Sequence, residues 1–323
     1  MRVVIFGAGA IGGVIGARLF QHGHDVTLIA RGANFAELSK SGLRLETPDE
    51  TVTLPVPVVE GPEAMSFDSV DTVILTVKSQ DTMPALSHLA AVATPTTAIV
   101  CGQNGVENER VALRMFRNVY GMCVMMPASH LSPGVVQASS SPITGLLDVG
   151  RWPHGVDDRI RELADVLSGA SFESVAREDI ARWKWGKLLM NLGNAVEALC
   201  GPGQRGGELV RRAVKEGVDV LAAAGIAYVG REEDAARRGQ LLTLGPIGGA
   251  TRGGGSSWQS LIRETGSIET DYLTGEIVLR GRLFGVATPV NELLQRLANQ
   301  LASERGAPGT WSEGEILDLL NAN

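Results

Sequence analysis

The stretch Met1-Arg2-Val3-Val4-Ile5-Phe6-Gly7-Ala8-Gly9-Ala10-Ile11-Gly12-Gly13 decides the fold. Val3 to Phe6 form a short apolar run, and an amphipathic segment with Val14, Ile15, Ala17, Leu19 and Phe20 follows the glycines. The pattern reads strand, glycine turn, helix. Each glycine of Gly7-x-Gly9-x-x-Gly12 then has a mechanical reason. The first permits the tight turn, the second lets the backbone approach a pyrophosphate, and the third allows the helix to pack close on the strand. Free N–H groups and the positive end of the helix dipole face the phosphates. Gly7, Ala8, Gly9, Ala10, Ile11 and Gly12 are therefore expected to bind a dinucleotide.

Context supports that expectation. A second strand pattern, Asp25-Val26-Thr27-Leu28-Ile29, completes a unit of the βαβ length, roughly 30 residues. Arg2 ahead of an apolar stretch also has the outline of a secretory leader. The glycines at 7, 9, 12, 13, 16 and 23 and the direct continuation into a strand, without a processing boundary, argue against it. NAD-preferring folds place Asp or Glu after the second strand to hold the ribose 2′-OH. This chain has Ala30-Arg31-Gly32. A guanidinium suits a 2′-phosphate and can stack on adenine, so the expected cofactor is NADP(H).

Composition narrows the rest. A chain of 323 residues accommodates two domains and a sizeable core. The net charge of −7 argues against nucleic acid or an anionic membrane as main partner, and no apolar run is long enough to span a bilayer. Cys101, Cys123 and Cys200 lack metal or redox spacing, and the five histidines form no ligand cluster. A cytoplasmic protein without metal is expected, with a small molecule as partner and a homodimer as the assembly to consider.

Strand and helix patterns alternate through the first half. Thr72–Val77 ends in Lys78-Ser79, Thr97–Cys101 in Gly102-Gln103-Asn104-Gly105, and Asn118–Val124 follows. Such alternation implies a parallel sheet with right-handed crossovers, and ligands gather at the carboxyl ends of its strands. Lys78 and Asn104 join Gly7 and Arg31 at such ends. Val135–Gln137 and Ile143–Asp148 read as a hairpin-like pair. From Asp179 helical periodicity takes over, at 179–199, 207–224, 257–284 and 289–303. The expected organisation is α/β: an N-terminal Rossmann-type parallel-sheet domain, 1–177, followed by an all-helical C-terminal domain, 178–323.

The segment 179–199 sets Lys187, Asn191 and Asn194 among apolar residues. Positions four apart share a helix face, and asparagines inside a helix suggest fixed hydrogen-bond duties. A solvated amphipathic stripe is the plain alternative. Gly253-Gly254-Gly255-Ser256-Ser257 looks like a loop and N-cap, while Glu269 and Asp271 read equally well as surface carboxylates.

Taken together these residues resemble the ketopantoate reductase (2-dehydropantoate 2-reductase) family. The resemblance runs through Gly7-x-Gly9-x-x-Gly12, Arg31, Thr76-Val77-Lys78, Gln103-Asn104-Gly105, Trp185-Gly186-Lys187-Leu188-Leu189-Met190-Asn191, Ser256-Ser257, Glu269–Gly275 and Gly285–Asn291. It implies NADPH-dependent reduction of a 2-oxo acid to a 2-hydroxy acid, 2-dehydropantoate to pantoate. Lys187 would be the general acid and Glu269 would bind the substrate hydroxyl and orient the lysine. Asn104, Asn191 and Ser257 would hold substrate, with Asn194 as a candidate stand-in beside them, and Lys78 and Asn104 would also reach the cofactor. Should Lys187 fail as the acid, Lys184 is the next lysine to consider. Two departures bear on the substrate. Ala195 stands where the family has a second asparagine, with Asn194 one residue earlier. Thr270 and Thr274 stand in the acidic segment where the family has an aliphatic residue and an asparagine. The rival expectations are a reductase of the same architecture for another 2-oxo acid, and a non-catalytic NADP(H)-binding regulator.

Overall fold

A computed structural model describes residues 1–68, 70–250 and 252–322. The chain packs as two compact units, Met1–Lys184 with Arg231–Arg252, and Trp185–Gly230 with Gly253–Asn323.

The apolar runs of the first unit become strands: β1 (Arg2–Phe6), β2 (Asp25–Ile29), β3 (Leu43–Glu46), β4 (Thr51–Leu54), β5 (Val58–Val59), β6 (Thr72–Leu75), β7 (Ala98–Cys101), β8 (Asn118–Met125), β9 (Ala128–Ser132), β10 (Val135–Ala138), β11 (Ser140–Pro142), β12 (Gly145–Arg151), β13 (Phe172–Glu173) and β14 (Leu242–Leu244). Eight of them form one sheet, ordered β13-β12-β8-β7-β6-β1-β2-β5. Every pairing in it is parallel except β12 with β8. The helices α1 (Ala10–Gln21), α2 (Gly32–Ser41), α3 (Thr82–Ala90), α4 (Asn108–Ala112) and α5 (Asp158–Ser168) connect these strands. Central strands carry Val3, Ile5, Ile74 and Val100 at no more than 1% exposure, the double-sided burial that parallel sheets require. This is the expected Rossmann-type domain. Register also aligns its edge. Phe6 pairs with Ile29 and Leu75, and Leu75 with Cys101, so the residues that follow β1, β2, β6 and β7 emerge along one side.

The expected hairpin between Val135–Gln137 and Ile143–Asp148 does not form. β10 pairs with β9 and β3 in a four-stranded sheet, while β12 lies against β8 in the main sheet. Burial explains the separation. β10 alternates between half-buried and buried positions, as a strand with one covered face does, whereas Leu146, Leu147 and Val149 are almost fully buried and need cover on both faces.

Helices α6 (Ile180–Asn191), α7 (Gly193–Cys200), α8 (Glu208–Ala223), α9 (Arg231–Arg238), α10 (Ser256–Ile262), α11 (Thr274–Phe284), α12 (Pro289–Ser303) and α13 (Glu313–Asn321) supply the rest. The expected continuous helix over 179–199 is two, broken at Leu192. The 257–284 periodicity is realised as α10, a 3₁₀ turn at Glu269–Tyr272, and α11. The predicted span 289–303 is α12 to the residue. Its start is capped by the Glu216 carboxylate of α8, which accepts from the N–H groups of Val290 and Asn291 at 2.8 and 3.0 Å. α9 belongs to the first unit. Buried Asp148 accepts from Arg237 at 2.6 and 3.0 Å and from Arg177 at 2.9 Å, and β14 pairs with β11. No hydropathy pattern announces that return of the chain.

Candidate active site

The glycine turn is held from both sides. Gly7 has φ +112°, and a Cβ there would lie 2.7 Å from the Val77 nitrogen. At Gly12 a Cβ would come within 2.3 Å of both the Gly7 carbonyl oxygen and Thr76 Oγ1. Thr76 Oγ1 itself donates to the Gly7 carbonyl at 2.8 Å, tying the end of β6 to the turn. Asn34 Nδ2 donates to the Ala8 carbonyl at 2.8 Å, and Asn34 Oδ1 accepts from Gly134 N at 2.8 Å. Ala10 and Ile11 open α1, whose N-cap Gly9 carries no side-chain cap and whose first turn holds no carboxylate. Nothing lies within 4 Å of a Cβ built at Gly9. An uncapped helix start beside open space, without a competing negative charge, fits a pyrophosphate. Arg31, just past β2, is 80% exposed, and its Nη2 lies 3.2 Å from Asp81 Oδ2.

Lys78 and Asn104 are half-buried and follow β6 and β7. The strand ends around them are cross-braced by Asn108 of α4. Its Nδ2 donates to the Asn104 carbonyl at 3.1 Å and to Ser79 Oγ at 3.3 Å, and its Oδ1 accepts from Thr82 Oγ1 at 2.7 Å. Beneath them Lys184 is only 3% exposed and Glu109 is fully buried. Lys184 Nζ bonds the Glu109 carboxylate and donates to the Gln103 carbonyl at 3.1 Å and, at 3.5 Å, to that of Cys101. Burial pushes the Glu109 carboxyl up, against the pull of the lysine, and pushes the Cys101 thiol well up. A lysine locked in this way is a structural clamp and not a reserve acid.

The remaining candidates fall in the second unit. Lys187 and Asn191 lie four apart on α6, on one face, with Lys187 half-buried and Asn191 at 5% exposure. Asn194 lies beyond Leu192, where α6 gives way to α7. It sits on α7, 4% exposed, with Oδ1 accepting from Arg205 Nη2 at 2.7 Å. Ser257, in the first turn of α10, is 3% exposed, and α10 packs on α7. The two acidic residues separate in role. Glu269 is buried, whereas Asp271 is exposed and accepts from Gln295 and Asn299 at 2.7 Å each, anchoring its turn to α12. Arg263 stands within reach of the Glu269 charge. Burial lowers its guanidinium from the ordinary value and Glu269 pulls it back. Thr270 and Thr274, the paired departures, answer each other: their hydroxyls are 2.6 Å apart and buried. That exchange is self-contained.

Asn34, Asn108, Glu109, Glu197 and Arg205 were not anticipated from sequence. The amide and acid at 108 and 109, close behind Gln103-Asn104, offered a faint signal; Arg205, in a glycine-rich loop, offered none.

The chain is similar to known proteins along most of its length. Residues 3–153 match the family model described as ketopantoate reductase PanE/ApbA, and residues 179–302 match its C-terminal counterpart. The 2-dehydropantoate 2-reductase of Archaeoglobus fulgidus is 31% identical over 94% of this chain and 98% of its own length. That of Pyrococcus horikoshii is 29% identical over 95% and 99%. A PanE/ApbA family ketopantoate reductase structure from Ralstonia eutropha superposes with a TM-score of 0.79 at 27% identity, covering 94% of this chain and 99% of that one. D-mandelate dehydrogenase with NADH and anilino(oxo)acetate shares the fold, with a TM-score of 0.81 at 24% identity over 95% and 100%.

Proposed function

Since the chain belongs to the ketopantoate reductase family and is an oxidoreductase, we propose that it reduces 2-dehydropantoate to pantoate with NADPH. The observation that carries the reading is a set of buried polar side chains in the helical unit. Asn191, Asn194, Ser257 and Glu269 are each no more than 7% exposed. Two amides, a hydroxyl and a carboxylate are the kinds of group that hydrogen-bond a 2-oxo acid. We assign residues 1–177 to NADP(H) binding and 178–323 to substrate and catalysis.

NADPH, when bound, supplies the hydride that reduces C2 of the acid. Gly7 to Gly12 would hold its pyrophosphate, Arg31 its 2′-phosphate, and Lys78 and Asn104 would lie toward its reactive end. As negative charge develops on the substrate oxygen, the Lys187 ammonium stabilises it and gives up a proton. Glu269 accepts a hydrogen bond from the substrate hydroxyl and orients the lysine. Asn191, Asn194 and Ser257 hold the acid. Ala195 favours a second reading, a 2-oxo acid with a less polar tail, because a methyl stands where the family carries an amide.

NADPH and NADH oxidation over a panel of 2-oxo acids tests both. The expected result is turnover of 2-dehydropantoate with NADPH preferred, and selective erosion of that preference in Arg31→Ala. Equal use of both cofactors by the intact protein would remove the argument from Arg31. Preference for an apolar 2-oxo acid would favour the second reading.

A further inference from the structure

Resting on the reading of Asn194 and Ser257 as substrate residues, we propose that Glu197 and Arg205 are positioning residues that set how those two side chains meet the acid. Arg205 Nη2 donates to Asn194 Oδ1 at 2.7 Å and to Glu197 Oε2 at 2.6 Å, and its Nε donates to the same carboxylate oxygen at 3.1 Å. That oxygen also accepts from the Gly255 N–H at 3.0 Å. One carboxylate therefore joins the end of α7 to the residue that opens α10, two positions before Ser257.

The arrangement is tight. Glu197 is 7% exposed, and a nearly buried carboxylate persists only when charged and N–H donors surround it. A Cβ built at Gly255 would lie 2.5 Å from Arg205 Nη2 and 2.6 Å from Glu197 Oε2, so the loop is drawn onto the pair. The Arg205 side chain is 44% exposed.

The chemistry gives the brace a specificity role. Arginine only donates, so the Asn194 atom facing it must be the carboxamide oxygen. The amide NH₂ is left as the group that Asn194 turns to a ligand. A donor fixed in one orientation selects for an oxygen acceptor on the substrate. It supplies, from one position earlier, what Ala195 lacks. The substrate class that follows is a 2-oxo acid whose tail carries a hydroxyl, ahead of the same acid with an apolar tail.

The test uses the full chain with NADPH, 2-dehydropantoate and the analogue without the hydroxyl. Arg205→Met is expected to raise KM for 2-dehydropantoate roughly tenfold or more, the usual effect of losing a hydrogen bond to a charged group. It should shift the hydroxyl-free analogue far less, with kcat and the Kd for NADPH moving by no more than a few-fold. Arg205→Lys, which returns a donor, should recover part of the loss. Glu197→Gln, which keeps an acceptor for Gly255 N–H, should fall between the two and serves if Arg205→Met does not fold. Equal KM shifts for both acids, or none, in an active protein would overturn the proposal while leaving the reductase reading in place. No turnover of either acid by the intact protein would overturn the reductase reading and the positioning role with it.

Discussion

The turn at Gly7–Gly12 and the Asn194–Ser257 region of the helical unit solve a similar problem with different materials. In the first, the proposed binding group is the backbone, and Thr76 and Asn34 donate to its carbonyls. In the second, the proposed binding groups are side chains on α7 and α10, and Glu197 with Arg205 links the two helices. The turn leaves no room for a Cβ at Gly7 or Gly12, where one would lie 2.7 Å and 2.3 Å from its nearest neighbours. A site made of side chains accommodates a shifted residue where a neighbour holds it, and Arg205 holds Asn194, the residue before Ala195. On the proposed reading, the difference teaches that substrate preference drifts in the helical unit while the glycine turn stays unchanged.

The largest expected effect lies on the side-chain side. Lys187→Ala should lower kcat by roughly 10²–10⁴, the range for general acid–base groups, while the Kd for NADPH stays within a few-fold. Near-normal turnover would take the acid role from Lys187, and the clamp on Lys184 means that no lysine one turn earlier is available to assume it. Stability should respond most to that clamp. Lys184→Met strands the buried Glu109 charge and should lower unfolding free energy by about 3–5 kcal/mol, measured by urea denaturation. Adding Glu109→Leu should recover much of the loss. If the single variant is as stable as the intact protein, the pair does not hold the β7 end.

On the backbone side, Gly12→Ala inserts a methyl where 2.3 Å separates it from two oxygens. It should destabilise by about 1–3 kcal/mol and weaken NADPH binding in parallel. Unchanged NADPH affinity would break the comparison, since the turn would then tolerate a side chain. The smallest effect sits in the sheet that carries the turn. Burial, and then the bond from its hydroxyl to Asp157 Oδ2 at 2.8 Å, push Tyr120 up to about 12. Its folded value lies above its unfolded value, so its stabilisation is complete below the ordinary tyrosine range and is lost as pH rises toward 12. Ultraviolet titration should show one tyrosinate forming late, and Asp157→Asn should bring it earlier.

Legibility follows the same division. The β1–turn–α1 unit, the strands β6 and β7 with Lys78 and Asn104 at their ends, and α12 could be read directly, because a buried parallel strand, a phosphate turn and an amphipathic helix each impose a local pattern. Residue spacing reads less well across interruptions. The 179–199 period reads as one helix, and the chain divides it at Leu192. β10 and β12 were paired because they are adjacent in sequence, although their burial demands differ.

By itself, then, the sequence determined the glycine turn and the α/β-then-helical order, since each depends on neighbours within a few positions. Only the tertiary structure decided that Lys184 is clamped by Glu109, that Thr270 answers Thr274, that residues 231–252 return to the first unit, and that Arg205 fixes the face Asn194 presents. Those outcomes rest on charges and hydrogen bonds that must be satisfied once water is excluded. The partners that satisfy them are chosen by packing, often across long stretches of chain, where no local pattern records the choice.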